Sequence, residues 1–254
     1  GSLSGGLKGS PMRLAVFILF SVLLLCLPCQ PAPAQTASPL SPENVQIIAA
    51  LRKAAAQGAV NAQFALGLDY DLGKGVTQDS SQAAFWYQKA AEQGLADAQY
   101  NLGLLYDQGR GVRKDDAQAE AWWRKAAAQG NIHAQYNLGV LYAKGEGVPQ
   151  DPAQAALWLR KVADQGNAAA QHRLGQMYHD GQGVPQNDAQ AAGWWRKAAE
   201  QGDAGAQYNL GIAYATGKGV QQNYAEAYFW IGLSAKGKIE GTTQEDAGKA
   251  RDAT

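Results

Sequence analysis

Small and apolar residues recur along most of the chain with the spacing of one helical face, then of a second. Ala62, Leu66 and Tyr70 fall at i, i+4 and i+8, a single stripe on a helix. Farther on, Ala83, Trp86, Tyr87 and Ala90 fall at i, i+3, i+4 and i+7, which predicts a second amphipathic helix. Between the two stripes lies Gly73-Lys74-Gly75-Val76, where glycine tolerates the positive φ that ends a helix and turns the chain. Asp79 stands where the second helix needs an N-cap, and Gly94 stands where that helix must close. One unit is therefore an antiparallel helix pair.

The unit then repeats. Gln-Gly occurs at 57–58, 93–94, 129–130, 165–166 and 201–202, always 36 residues apart. In the same register, the residue types of Ala62, Gln63, Leu66, Gly67, Tyr70, Gly73, Gly75, Val76, Ala83 and Trp86 are identical in all five copies. The N-cap position reads Asp79, Asp115, Asp151, Asn187 and Asn223, with Pro152 at a first helical position where its missing N–H costs nothing. Lys89, Arg124-Lys125, Arg160-Lys161 and Arg196-Lys197 approach the helix end, where cations suit the macrodipole. A lone pair cannot cover its own apolar faces, whereas stacked pairs can. The prediction is an all-α solenoid of five repeats.

Within that core the series Trp86, Trp122, Trp158, Trp194 and Trp230 is expected to be buried framework, leaving Trp123 and Trp195 freer to face elsewhere. Glycine inside a helix costs about 1 kcal/mol relative to alanine. Gly67 and its copies should therefore mark a close backbone approach, with Trp86 and Tyr70 filling the space around it.

The pattern Ala-Gln-x-x-Leu-Gly-x-x-Tyr-x-x-Gly-x-Gly-Val, followed by Ala-x-x-Trp and Lys-Ala-Ala-x-Gln-Gly, resembles the Sel-one-like repeat (SLR), a longer relative of the tetratricopeptide repeat. The resemblance covers residues 58–237. Residues 43–57 resemble a lone second helix acting as an N-terminal cap, so the solenoid is expected over 43–237. Residues 238–254 read as a C-terminal tail or weak capping helix, opened by the capping box Thr242-Thr243-Gln244-Glu245. The resemblance implies a scaffold or adaptor that binds a protein or peptide in a concave groove lined by first helices, without catalysis. A cysteine-rich secreted branch linked to binding or hydrolysing cell-wall compounds supplies the alternative, a peptidoglycan-fragment protein. That branch carries a disulfide in each repeat, and no repeat here contains cysteine.

The first forty residues differ in kind. Residues 1–11 read as a tag or upstream extension, and 12–34 as a signal peptide: Arg13, the apolar run Leu14 to Leu27, then Ala32-Pro33-Ala34 with cleavage after Ala34. A 14-residue helix rises only about 21 Å, short of the roughly 30 Å hydrocarbon core. Residues 35–42 then form a linker, and a periplasmic or secreted location is expected. Cys26 and Cys29 both lie in the leader, so a processed chain would be stabilised without disulfides.

Chemistry is sparse. The 22 basic and 22 acidic residues cancel, which argues against a nucleic-acid surface. The three histidines, His133, His172 and His179, bring no clear ligand set or nucleophile, so no metal, cofactor or catalytic residue is expected. Asp69-x-Asp71-x-Gly73 lacks the distal glutamate of a calcium loop, and the Gly-x-Gly turns follow helices rather than strands. The candidate partner-binding stripe is Phe64, Tyr100, Tyr136, His172 and Tyr208. It is flanked by Asn61, Asp97 and His133 one turn before, and by Leu68 and Leu104 one turn after. Aromatics with polar tips suit a peptide-like ligand. The same positions equally suit packing between adjacent first helices.

Overall fold

The computed structural model describes residues 42–236. The 1–11 extension, the 12–34 signal peptide, nearly all of the 35–42 linker and the 238–254 cap lie outside the described residues. Within them the chain forms α1 (Pro42–Ala56), α2 (Val60–Leu72), α3 (Ser80–Glu92), α4 (Ala96–Gln108), α5 (Asp116–Ala128) and α6 (Ile132–Lys144). It continues with α7 (Pro152–Asp164), α8 (Ala168–Asp180), α9 (Asp188–Glu200), α10 (Ala204–Thr216) and α11 (Tyr224–Lys236). Each helix packs on its neighbours in sequence, from α1 on α2 to α10 on α11. The expected all-α stack of helix pairs is present, with α1 as the unpaired leading helix.

The helix ends follow from the residues at them. Asp79, Asp115, Asp151 and Asn187 each accept backbone N–H bonds at the start of the second helices, and Asn223 does so from Ala225 and Glu226. First helices end on glycines in the left-handed region, such as Gly73 at φ 68°, whose N–H returns to the Asp69 carbonyl. Second helices end differently: Gly94 N–H donates to Ala91 O and Leu95 N–H to Ala90 O, a Schellman closure. Asn131, Asn167 and Asp203 also cap first helices, a role the repeat pattern had not suggested.

A row of buried glutamines ties repeat to repeat. Gln63, Gln99, Gln135, Gln171 and Gln207 are 7% exposed or less. Each Nε2 donates to an alanine carbonyl in the last turn of the preceding helix, at 3.1 or 3.2 Å. The Oε1 of Gln63, Gln99, Gln135 and Gln171 accepts from the glutamine of the Gln-Gly pair that ends the next helix, at 2.7–3.2 Å. One side chain thus joins three consecutive helices. A buried amide is tolerated because both of its ends are satisfied.

The glycines inside the first helices do mark a close approach, but a different residue fills the space. A β-carbon at Gly103 would lie 2.5 Å from Cδ1 of Trp123, and at Gly67 it would lie 2.6 Å from Cδ1 of Tyr87. The same holds for Gly139 with Leu159, Gly175 with Trp195 and Gly211 with Ile231. The core side chain is therefore the one directly after the repeated tryptophan. Tyr87, Trp123, Leu159 and Trp195 are buried, while Trp86, Trp122, Trp158 and Trp194 are only half-buried. This reverses the expected roles of Trp122 and Trp123, and of Trp194 and Trp195; only Trp230 of the repeated series is buried. Lysine explains the outer series: Lys125, Lys161 and Lys197 sit over the faces of Trp122, Trp158 and Trp194 at 3.8, 4.2 and 4.0 Å.

Two stability measurements test this packing. Trp123→Ala is expected to lose about 3–5 kcal/mol in denaturant unfolding, as a large core truncation does, with Trp122→Ala losing clearly less. The opposite order would place the core on the wrong tryptophan. Gln135→Ala removes one bond to the Ala127 carbonyl and one from the Gln165 amide, each of which keeps a second partner, and is expected to cost about 1–3 kcal/mol. A negligible change would mean that the ladder holds nothing.

Candidate binding face on the first helices

The stripe positions lie on the first helix of each repeat, two residues before the buried leucine and one after the ladder glutamine. Phe64, Tyr100, Tyr136 and His172 are half-buried, and Tyr208 is 52% exposed. Both readings of the stripe have a physical basis here, since four of the five side chains are partly covered and partly open. Phe64 packs on Tyr87 at 5.8 Å between ring centroids, and Tyr100 packs on His133 at 5.6 Å. Asn61, Asp97 and His133 are exposed, with Asp97 accepting from Asn131 at 3.0 Å. Leu68 and Leu104 are half-buried against the core.

The centre of the face gathers these residues most closely. Tyr100, His133 and Tyr136, with Asn137 and Asn167, line a hollow of about 310 Å³ spanning three consecutive repeats. A second hollow of about 330 Å³ shares Asn137 and is floored by Leu104, Trp123, Val140 and Leu141, with Asp107, Lys114, Lys144 and Glu146 around it. Burial and the nearby Asp116 carboxylate push the Asp107 carboxyl above its ordinary value, and Lys114 opposes the shift. Asn61, Phe64, Leu68, Asp97, His172 and Tyr208 border neither hollow. A larger space, about 570 Å³, lies between α1 and the first glycine turn, around Ile48, Arg52, Tyr70 and Val76. It holds no stripe residue, and it opens where a lone helix stands in for a full repeat.

A second series on this face was not apparent from the sequence. The position after each stripe residue reads Ala65, Asn101, Asn137, Arg173 and Asn209. From it, side chains reach back to the stripe residue of the repeat before. Arg173 Nε donates to the Tyr136 hydroxyl at 2.9 Å, and Asn209 Nδ2 lies 3.1 Å from His172 Nε2. Asn137 stands beside the Tyr100 hydroxyl, which burial pushes up from its ordinary pKa and which the asparagine draws back down. Three asparagines at one register of five copies were the available signal.

His172 is held at both nitrogens. Nδ1 lies 3.0 Å from the Asp203 carboxylate and Nε2 faces Asn209. With the proton on Nδ1, the ring donates to the aspartate and accepts from the amide. Gly205 provides the room, since a β-carbon there would overlap the imidazole. His179 pairs separately with Asp188 at 2.6 Å and packs against Trp195 with the rings tilted by 53°. Among the described residues, no three histidine, cysteine or acidic side chains cluster as a metal site would require.

A family model for the Sel1 repeat matches residues 60–95, 96–131, 132–167, 168–203 and 204–238. The chain belongs to the Sel1 repeat family. Among solved structures it is similar to c5321, described as a protective antigen of uropathogenic Escherichia coli strains with an SLR fold. The identity is 38% and the TM-score 0.72, over 82% of this chain and 48% of that one. It therefore spans about half the length of the Escherichia coli protein. It is also similar to a Sel1 repeat protein from Oxalobacter formigenes, at 34% identity and TM-score 0.69, over 79% of this chain and 85% of that one. No curated protein sequence matches it significantly. In this Sel1 array the residues identical in every copy build the junctions, while the face described above varies.

Gly205→Ala separates the face from the fold. Alanine favours a helix by about 1 kcal/mol over glycine, so the melting temperature is expected to hold or rise. The new methyl should displace the imidazole, and the His172 ring resonances should move in NMR spectra. Unchanged resonances would contradict the packing of His172 against Gly205.

Proposed function

We propose that this Sel1 repeat chain is an exported interaction scaffold that holds a protein or peptide segment along the groove of its first helices. Sel1 repeats generally serve contacts between proteins. The observation that carries the finer reading is the central pair of adjoining hollows with Asn137 between them. One is walled by Tyr100, His133 and Tyr136, the other floored by Leu104, Val140 and Trp123. Partly open aromatic rings next to amides provide apolar anchoring together with donors and acceptors for a polar main chain. No nucleic-acid partner and no cofactor are part of this reading, and it assigns no catalytic role. The His172–Asp203 pair has the geometry of a base and its orienting group, yet its outer nitrogen already meets Asn209.

Export is part of the proposal, supported by Arg13, the apolar run and Ala32-Pro33-Ala34. No helix among the described residues is long and apolar enough to cross a membrane. Expression in a Gram-negative host is expected to give a mature protein beginning at Gln35 by mass spectrometry. A chain that keeps its leader in the membrane would defeat the export reading.

Binding is tested at Tyr136, which lines the first hollow and anchors Arg173. A partner captured with the wild-type solenoid would be titrated against Tyr136→Ala, with denaturation midpoints measured in parallel. An anchor residue is expected to lose about 2 kcal/mol or more of binding, roughly thirtyfold, while the midpoint shifts far less than for Trp123→Ala. Equal affinity for both proteins would remove the groove, and an unfolded variant would make Tyr136 a packing residue.

A further inference from the structure

Two neighbouring repeats treat the same carboxylate in opposite ways. Asp71 stands in the last turn of α2, and Arg110, thirty-nine residues on, donates to it at 2.9 Å across the junction. Asp107 is its copy in the last turn of α4, and the residue thirty-nine positions on is Glu146. The guanidinium of the first junction is replaced by a second carboxylate. A like change occurs on the other side. In the fourth repeat His179 pairs with Asp188 at 2.6 Å, and the same two positions of the second repeat are Asp107 and Asp116.

Lys114 pairs with Asp116 at 3.4 Å and Lys144 with Glu146 at 3.5 Å, which leaves half-buried Asp107 without an ion pair among the described residues. Burial first, and then the Asp116 and Glu146 carboxylates, push its carboxyl above the usual range against Lys114 and Lys144. Three carboxylates face two lysines there, so one negative charge is in excess. The helix dipole also disfavours an acid in the last turn. Neither pairing nor helix stability accounts for Asp107. Its surroundings do suit a ligand, because it lines the hollow of about 330 Å³ floored by Leu104, Trp123, Val140 and Leu141. An arginine side chain has the matching chemistry: an apolar stem that packs along such a floor, and a planar cationic head that carboxylates can flank.

Resting on the groove reading above, we propose that the hollow between α4 and α6 receives an arginine side chain of the bound protein segment. The guanidinium lies between Asp107 and Glu146, with the stem on Leu104, Val140 and Trp123. The array already joins these two chemistries at the equivalent position, where Asp71 holds Arg110.

The probe is the peptide acetyl-Ala-Ala-Arg-Ala-Ala-amide, beside a second peptide with citrulline, neutral and of nearly the same shape, in place of arginine. Each is titrated into the isotope-labelled full chain, and the NMR shifts of Leu104, Asn137 and Val140 are followed. The arginine peptide is expected to bind roughly tenfold more tightly, as a charge-assisted pair requires. Asp107→Asn should remove that preference while the melting temperature holds or rises. Glu146→Arg should close the hollow to the peptide, by setting a guanidinium against Asp107 as Arg110 stands against Asp71. Equal affinity for the two peptides, or an arginine preference that survives Asp107→Asn, would overturn the proposal. Shifts that avoid Leu104, Asn137 and Val140 would overturn it as well. The preference is measured without a captured partner, so its loss removes the arginine alone, while the Tyr136→Ala titration decides the groove.

Discussion

The stack depends on a primary amide that cannot be left unpaired. Each ladder glutamine is buried among small apolar residues, where an unsatisfied amide would cost more than a typical hydrogen bond contributes. From Gln63 to Gln171 it is satisfied by an alanine carbonyl eight residues back, at the end of the helix before, and by another glutamine thirty residues on, at the end of the helix after. Sliding one repeat along its neighbour by a single residue would break both contacts at once. The ladder therefore sets how repeats meet, while alanines at the junction allow them to meet closely. Apolar packing supplies the driving force, and the amide selects one register among several that apolar packing alone would accept.

The glycine inside each first helix solves a second problem, that of fitting unlike side chains into one shape. Tyr87, Trp123, Leu159, Trp195 and Ile231 differ widely in volume, yet each occupies the space a glycine leaves on the facing helix. Trp123 additionally donates its indole N–H to the Tyr100 carbonyl at 3.2 Å. The core of this array is thus variable in composition and constant in geometry. The repeated tryptophan next to it does a different job, covering the outside of the junction beneath a lysine.

That division explains what the sequence disclosed and what it hid. Turns, caps and the helix pair were legible because Gly73, Asp79 and Gly94 act through local backbone chemistry, which depends only on nearby residues. The core tryptophan was misassigned because identity across copies suggests burial, whereas adjacent positions on a helix differ by about 100° and only the facing helix decides between them. The clue was present in Gly67 and its copies, but reading it required knowing which side chain opposed the glycine. Asn101, Asn137, Arg173 and Asn209 were overlooked for the converse reason. A series of mixed residue types draws no attention until the next repeat is seen to hold the ring of the one before.

The hydrogen bonds from this mixed series change the meaning of the stripe beside it. A lone exposed tyrosine samples several rotamers and loses that freedom on binding, at about 0.5–1.5 kcal/mol for an ordered side chain. Here the Tyr136 hydroxyl is already fixed by Arg173 and the His172 ring by Asp203 and Asn209. The contacts from Arg173 and Asn209 cross from one repeat to the next, so the junction that fixes register also helps to orient these two rings. Packing at these positions is then compatible with the binding proposed for them. For a face that binds as proposed, Tyr136 and His172 would meet a partner with much of their ordering cost already met by folding.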